Sequence, residues 1–226
     1  LLSLINDILD MSRIESGRLV IRNEEFALSK LLEQVNTIAN GQCSEKGLEY
    51  NCHINGHLDD FYIGDNIKIR QILINILGNA VKFTPKGGKV DLTVEKTAGF
   101  DGKTTLKFLI SDNGIGISKE FLPKLFEAFS QEDTSAASKY GSSGLGMAIT
   151  KNIVEMMNGK IEVESEKNKG TTFSVTLTLQ DSKRKAVPDG EIEINVSELS
   201  VLIIDDDEVA AEHAKLVLEK AGILAD

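Results

Sequence analysis

Asn75, Asn79 and Lys82 follow one another at intervals of four and three residues inside an otherwise apolar run, RQILINILGNAVKFTPKGG, residues 70–88. Asparagine is a weak helix former and is costly to bury without a hydrogen-bond partner. On a helical wheel Lys68, Asn75, Asn79 and Lys82 share one narrow stripe. Ile69, Leu73, Ile76, Leu77, Ala80 and Val81 occupy the opposite face. The asparagines therefore line an edge of a buried helix. Amide oxygens there suit a hard cation such as Mg²⁺, and a lysine one turn on suits a phosphate. The alternative is the solvated polar face of an ordinary amphipathic helix.

Two glycine-containing stretches follow. In ISDNGIGIS, residues 110–118, an apolar strand runs into Asp112, then Gly114, Ile115 and Gly116. Asn-Gly is a common turn pair, so a plain turn is one reading. The other is a loop that lets a flat ligand approach the backbone, with Asp112 accepting from an exocyclic amine. In KYGSSGLGMAIT, residues 139–150, Lys139, Tyr140 and Ser143 accompany Gly141, Gly144, Leu145 and Gly146 ahead of an apolar helix. A glycine-rich loop at a helix N-terminus presents backbone N–H groups to phosphate oxygens. No Gly-Lys-Ser/Thr closes it, so it is not a Walker A loop.

The elements that must position these residues are legible from periodicity. Residues 1–16 predict an amphipathic helix with Leu1, Leu4, Ile5, Ile8, Leu9 and Met11 on one half, stopped at Gly17. A helix this short needs a partner to be stable in water, and that partner is expected outside this chain or from a second copy. Residues 18–180 read as an α/β domain. Helices are expected near 29–39 and 66–83, and a glycine-rich region with a helix over about 141–158. Strands are expected around 48–54, 90–94, 106–110, 161–163 and 173–179, with an antiparallel turn near Gly99 and Gly102. One sheet with helices on one face follows, a two-layer α+β sandwich. Residues 181–198 are polar, with Pro188 and Gly190, and read as a linker. Residues 199–226 open a new unit, the apolar VLII, the acidic DDDE and a helix, as at the start of a doubly wound domain.

Composition excludes several classes. The 226 residues are 41% hydrophobic and 27% charged, an ordinary globular balance. With 25 Lys and Arg against 35 Asp and Glu, the net charge is -10 and no basic footprint for nucleic acid is present. Two cysteines, Cys43 and Cys52, give neither a metal spacing nor a disulfide framework, and a cytoplasmic setting is the expectation. No apolar run reaches the ~18 residues that span a bilayer. The chain begins within one helical pattern and ends within another. The expectation is a piece of a longer protein, attached to a membrane only through other regions.

In this order and spacing the motifs resemble the catalytic, ATP-binding domain of sensor histidine kinases. NILGNAVKFT is similar to the family's asparagine box. DNGIGI and GSSGLGMAI resemble its two glycine boxes, and FLPKLFEAFSQED, with Phe126 and Phe129, its phenylalanine box. LINDILDMSRIESGRL resembles the second helix of the dimerisation hairpin, and VLIIDDDEVA the start of a flavodoxin-like receiver domain. The resemblance covers nearly the whole chain and implies a hybrid kinase with the Bergerat fold shared with gyrase and MutL. It implies ATP and Mg²⁺ as ligands, with Asn79 on the metal and Asn75 and Lys82 supporting the phosphates. Asp112 would meet the adenine amine, with Gly114, Ile115 and Gly116 shaping the base pocket. Lys139, Tyr140, Ser143, Gly144, Leu145 and Gly146 would surround the phosphates, and residues 130–143 would form a mobile lid. Ser142 stands where the family often has a second glycine, and Ser143 where it usually has threonine.

The resemblance also implies a homodimer through the hairpin and a receiver domain or response regulator as partner. The related hydrolases carry a glutamate as general base where this chain has Asn75. An amide cannot take a proton, which favours phosphoryl transfer over hydrolysis. Two other readings are a degenerate nucleotide-binding regulatory module and an ATP hydrolase of the same fold. None of His53, His57 and His213 matches the family's phosphoacceptor motif, so the acceptor is expected before Leu1, and autophosphorylation is not expected of this chain alone. Asp205 and Asp206 match the acidic pair that helps bind Mg²⁺ in receivers. The phosphoacceptor aspartate of a receiver is expected beyond residue 226.

Overall fold

The computed structural model describes residues 2–132, 143–184, 200–201, 215 and 224–225. It separates into two compact units, Leu1–Lys185 and Ala186–Asp226.

In the first unit, α1 (Leu2–Glu15) ends at Gly17, whose φ of 65° only glycine adopts freely. Strand β1 (Glu24–Ala27) leads into α2 (Leu28–Lys46), then β2 (Glu49–Asn55) and β3 (Phe61–Gly64). Helix α3 (Asn66–Phe83) follows, then β4 (Lys89–Phe100), β5 (Lys103–Asp112) and a 3₁₀ turn at Leu122–Lys124. Helix α4 (Gly146–Met156) precedes β6 (Lys160–Glu166) and β7 (Gly170–Asp181). In the second unit β8 (Ser200–Val201) pairs in parallel with β9 (Leu224–Ala225).

Seven strands of the first unit form one sheet in the order β1-β3-β7-β5-β4-β2, with β6 also on β7. β7 is the central strand. It pairs antiparallel with β5 along its length, with β6 at its start and with β3 at its end. One face of the sheet presents Val90, Leu92, Val94, Leu106, Phe108, Ile110, Phe173, Val175, Leu177 and Leu179, all buried, and it packs against the helices. The period-2 alternation expected of these strands is realised, and the two-layer sandwich is the observed architecture.

Three features depart from expectation. Helix α2 is longer than residues 29–39. Its polar second half runs to Lys46 because Leu28, Leu31, Leu32, Val35, Ala39 and Cys43 keep one buried stripe through it, and Gly47 (φ 71°) caps it. β2 pairs with β4 in parallel, because β3 and α3 intervene and return the chain in the same direction. The β4–β5 turn sits at Asp101 and Gly102, both at positive φ, while Gly99 lies within β4.

Helix α3 is fixed at both ends. Buried Asp65 accepts from Lys68 N (3.0 Å) and from Arg22 N (2.9 Å), satisfying an otherwise orphaned donor. At the other end Lys46 Nζ donates to the carbonyls of Val81 (2.8 Å) and Lys82 (2.7 Å), placing a cation on the negative end of the helix. Thr84 Oγ1 donates to Ala80 O, and Pro85 follows. The expectation that α1 needs a partner from outside the chain is corrected: it packs within the first unit, because its apolar and acidic residues both find partners there. Met11 and Ile14 pack on the core, while Asp10 accepts from Gln71 Nε2 (2.8 Å) and Lys68 Nζ (3.4 Å). Ile5, Ile8 and Leu9 of α1 remain about half exposed.

Candidate nucleotide site

Helix α3 joins the two glycine stretches, and it does so through the residues its polar edge presents. Asn75 Nδ2 donates to Gly146 O (3.4 Å) and to Thr150 Oγ1 (3.3 Å), so the middle of α3 is stitched to the first turns of α4. One turn on, Asn79 is half-buried, and its amide makes no hydrogen bond among the described residues. At the C-terminal end Phe83 O accepts from Ile115 N (3.2 Å). The Asn-to-Phe segment of α3 thus spans from the helix N-terminus of α4 to the loop after β5. Lys82 is half-buried with Nζ 5.0 Å from the Phe83 ring centroid, and burial pulls its pKa down.

The loop after β5 is shaped by its glycines. A side chain on Gly114 would lie 2.6 Å from Phe83 O and 2.7 Å from Asp112 Oδ1. Gly116 has φ 63°, and a Cβ there would meet Glu166 O at 2.1 Å. Asp112 accepts from Gly114 N (2.8 Å) and from the backbone N–H of Thr171. Burial nonetheless dominates, and its pKa is pushed up to about 6. A partly buried carboxylate held by two backbone donors at the floor of a glycine-walled loop is built to accept from a further N–H donor.

The second stretch ends in a helix start suited to anions. Gly144 (φ 69°) leaves no room for a side chain, since a Cβ would lie 2.9 Å from the Phe129 carbonyl carbon. Gly144 O accepts from Phe129 N (3.1 Å), which ties the phenylalanine segment to this loop. Leu145, at the N-cap, has a buried side chain, and its N–H is met by Ser143 Oγ (3.2 Å). The following N–H groups of the first turn of α4 have no intrahelical acceptor. In front of them, among the described residues, a Cβ on Gly146 would find only Asn75 Nδ2, at 3.9 Å. A helix start of this kind can accept an anion.

Ser143 also meets α1, donating to Asp7 Oδ2 (2.9 Å). Lys139, Tyr140 and most of the expected lid lie outside the described residues, as do Asp205 and Asp206. Three residues contribute that sequence reasoning missed. Thr171 reaches Asp112 through its backbone, Gly170 (φ 112°) lets β7 approach the Asp112 carbonyl, and Ser165 holds the base loop from behind. The run GTTF at the start of β7 was the available signal for the first two. Among the described residues no cluster of three or more His, Cys, Asp or Glu forms a metal site, and no helix is long and apolar enough to cross a membrane.

A carboxylate beneath a glycine loop, an asparagine-lined helix and an open helix N-terminus define an ATP-binding α/β sandwich. Residues 64–181 match the family described as Histidine kinase-, DNA gyrase B-, and HSP90-like ATPase, and the chain belongs to that family. Its relatives include proteins named as sensor kinases and histidine kinases. The chain is 37% identical to the autoinducer 2 sensor kinase/phosphatase LuxQ of Vibrio parahaemolyticus, over 100% of this chain and 27% of that protein. It is 40% identical to the signal transduction histidine-protein kinase BarA of Escherichia coli K12, over 76% of this chain and 19% of that one. It is 38% identical to the circadian input-output histidine kinase CikA of Synechococcus elongatus, over 98% and 29%. The chain thus spans less than a third of these relatives' length. Among solved structures, full-length ShkA in complex with AMPPNP superposes with a TM-score of 0.68 at 28% identity, covering 99% of this chain and 44% of that one. The nucleotide-free catalytic domain of histidine kinase ThkA gives 0.54 at 25% identity, covering 69% and 94%. The chain carries an ATP-binding histidine kinase catalytic domain.

Proposed function

We propose that the cleft between α3, the base loop and α4 takes ATP with Mg²⁺ and delivers the γ-phosphate to a histidine outside this sequence, for relay to an aspartate. The observation that carries this reading is the junction of Asn75 with Gly146 and Thr150, which sets a two-asparagine helix edge beside the open N-terminus of α4. Asn79 is the metal residue, since an amide oxygen suits Mg²⁺ and the nucleotide's own phosphates supply further ligands. Its amide fits that role in being uncommitted to any described residue. Asp112 accepts from the adenine amine, and Gly114, Ile115 and Gly116 wall the base. Lys82 and the loop of Ser143, Gly144, Leu145 and Gly146 meet the phosphates, with Lys139 and Tyr140 nearby in sequence.

Asn75 argues for transfer over hydrolysis. Its amide donates to α4, and no carboxylate stands at that position to activate water. Phosphoryl transfer to a histidine needs positioning and charge neutralisation, and the imidazole nitrogen brings its own lone pair. The half-exposed Ile5, Ile8 and Leu9 of α1 suit a hairpin helix that pairs with a further helix and a second copy. Residues 199–226 suit the opening of a receiver domain, with Asp205 and Asp206 as its acidic pair.

Calorimetry with ATP, with and without Mg²⁺, tests the reading, followed by phosphate transfer to an added acceptor hairpin. Metal-dependent binding and transfer are expected, and absence of ATP binding overturns the proposal. Asn79→Ala is expected to weaken Mg-ATP binding about tenfold or more while changing metal-free ATP binding little.

A further inference from the structure

The loop that walls the base, Gly114–Ser118, is held from behind at four points, three of them outside the nucleotide motifs and the fourth at the end of the phenylalanine segment. The end of β6 and the turn to β7 supply three of them. Ser165 Oγ accepts from Ile117 N (2.8 Å), donates to Gly170 O (2.9 Å) and lies 2.9 Å from Thr171 Oγ1. A hydroxyl has one donor and two acceptor sites, so Ser165 is fully used. Asn168 N donates to Ile115 O (2.7 Å), with Asn168 in the left-handed region at φ 64°. Gly116 lies flat against Glu166 O, with no space for a Cβ. The fourth point is Glu132. Its Oε1 accepts from Ser118 N (3.3 Å) and from Lys167 Nζ (2.9 Å), and Lys167 belongs to the same turn.

Resting on the nucleotide reading above, we propose that Ser165 and Glu132, the latter held by Lys167, are positioning residues for the base, fixing the register of the loop Ile115–Ser118 against Asp112. The geometry separates positioning from general support. Ser165 ties the loop to the same residues, Gly170 and Thr171, that set Asp112. Thr171 N donates to the Asp112 carboxylate, and Gly170 touches the Asp112 carbonyl. Both walls of the base pocket therefore refer to one hydroxyl. Glu132 acts as an acceptor for Ser118 N, so its essential property is an oxygen at that place. The ion pair with Lys167 is half exposed on the lysine side and adds orientation more than energy.

The test uses the full chain, with ATP and GTP binding measured by calorimetry and thermal midpoints measured on every variant. The unchanged chain must bind ATP first; failure there overturns the nucleotide reading, not this one. Ser165→Ala is expected to weaken ATP about tenfold and to reduce the preference for ATP over GTP by a similar factor. Glu132→Ala is expected to act in the same direction. Glu132→Gln, which keeps an acceptor for Ser118 N, should restore most of the loss, and the charge exchange Glu132→Lys with Lys167→Glu should not. Lys160→Ala, on an exposed ion pair of β6, should leave both nucleotides unaffected. The proposal is overturned if Ser165→Ala stays within twofold of the parent, if ATP and GTP weaken equally, or if the charge exchange restores binding where Gln does not.

Discussion

In the proposed site, Asp112 is kept ready to accept at the expense of the free protein. Burial raises its pKa to about 6, against donors at Gly114 and Thr171 that pull it down. The folded value lies above the unfolded one, so the stability linked to this group is present below the ordinary carboxylate pKa near 3.8 and is lost as pH rises through about 6. At neutral pH the ionised carboxylate opposes folding. Asp112→Asn is therefore expected to raise the unfolding free energy at pH 7.5 by about 1–2 kcal/mol, read by urea denaturation, while removing most ATP affinity. Ligand binding runs the other way. Protonation fills an acceptor lone pair, so ATP affinity should fall as pH drops through about 6, a slope that Asp112→Asn abolishes in a calorimetric pH series. The role proposed for Asp112 was suggested by DNGIG. Its link to Thr171, Gly170 and Ser165 was not, because Gly170 and Thr171 reach it through backbone atoms only after β7 pairs with β5, and the Ser165 hydroxyl meets them only after β6 pairs with β7.

Among the elements, α3 was the most readable, and its observed bounds, Asn66–Phe83, are those its apolar periodicity predicts. Dense patterning over eighteen residues leaves no competing period. β1 and β3 escaped notice because four residues each, EEFA and FYIG, carry too little alternation to stand apart from their surroundings. The helix also shows what patterning omits. Its ends are held by Asp65 and by Lys46, the latter distant in sequence. Asp65→Ala removes an acceptor for both Lys68 N and Arg22 N, and a loss of about 2 kcal/mol is expected in chemical denaturation. Lys46→Met should cost less, about 1 kcal/mol, since the freed carbonyls sit at a helix end that water can reach.

At the scale of the molecule, α1 is part of the catalytic unit in this structure, though its sequence marks it as hairpin. Asp10 sits among Lys68 and Gln71 with little exposure, and Asp7 reaches Ser143 at the edge of the glycine loop before α4. Asp10→Ala leaves a largely buried Lys68 without its carboxylate. Faster hydrogen exchange through α1, with β4, β5 and β7 unchanged, is the expected result. If α1 protection is unaltered, the polar contacts are incidental to its docking and Met11 and Ile14 hold it.

The place of β7 has a consequence for how the chain comes to be folded at all. It is the last strand of the first unit to leave the ribosome, yet it lies in the middle of the sheet, between β3 and β5. Until residues 170–181 emerge, β1 with β3 and β2 with β4 and β5 are two separate pieces. Each has an unpaired inner edge, a template for wrong pairing. Loop closure over the intervening helices comes before those edges are covered, which slows folding and exposes it to aggregation. A nascent chain halted at residue 169 is expected to remain protease-sensitive and chaperone-bound, and one extended past residue 181 and clear of the ribosome to become resistant in a single step. ATP competence would then arrive together with the sheet, because β7 closes the sheet and also delivers Gly170 and Thr171 to Asp112.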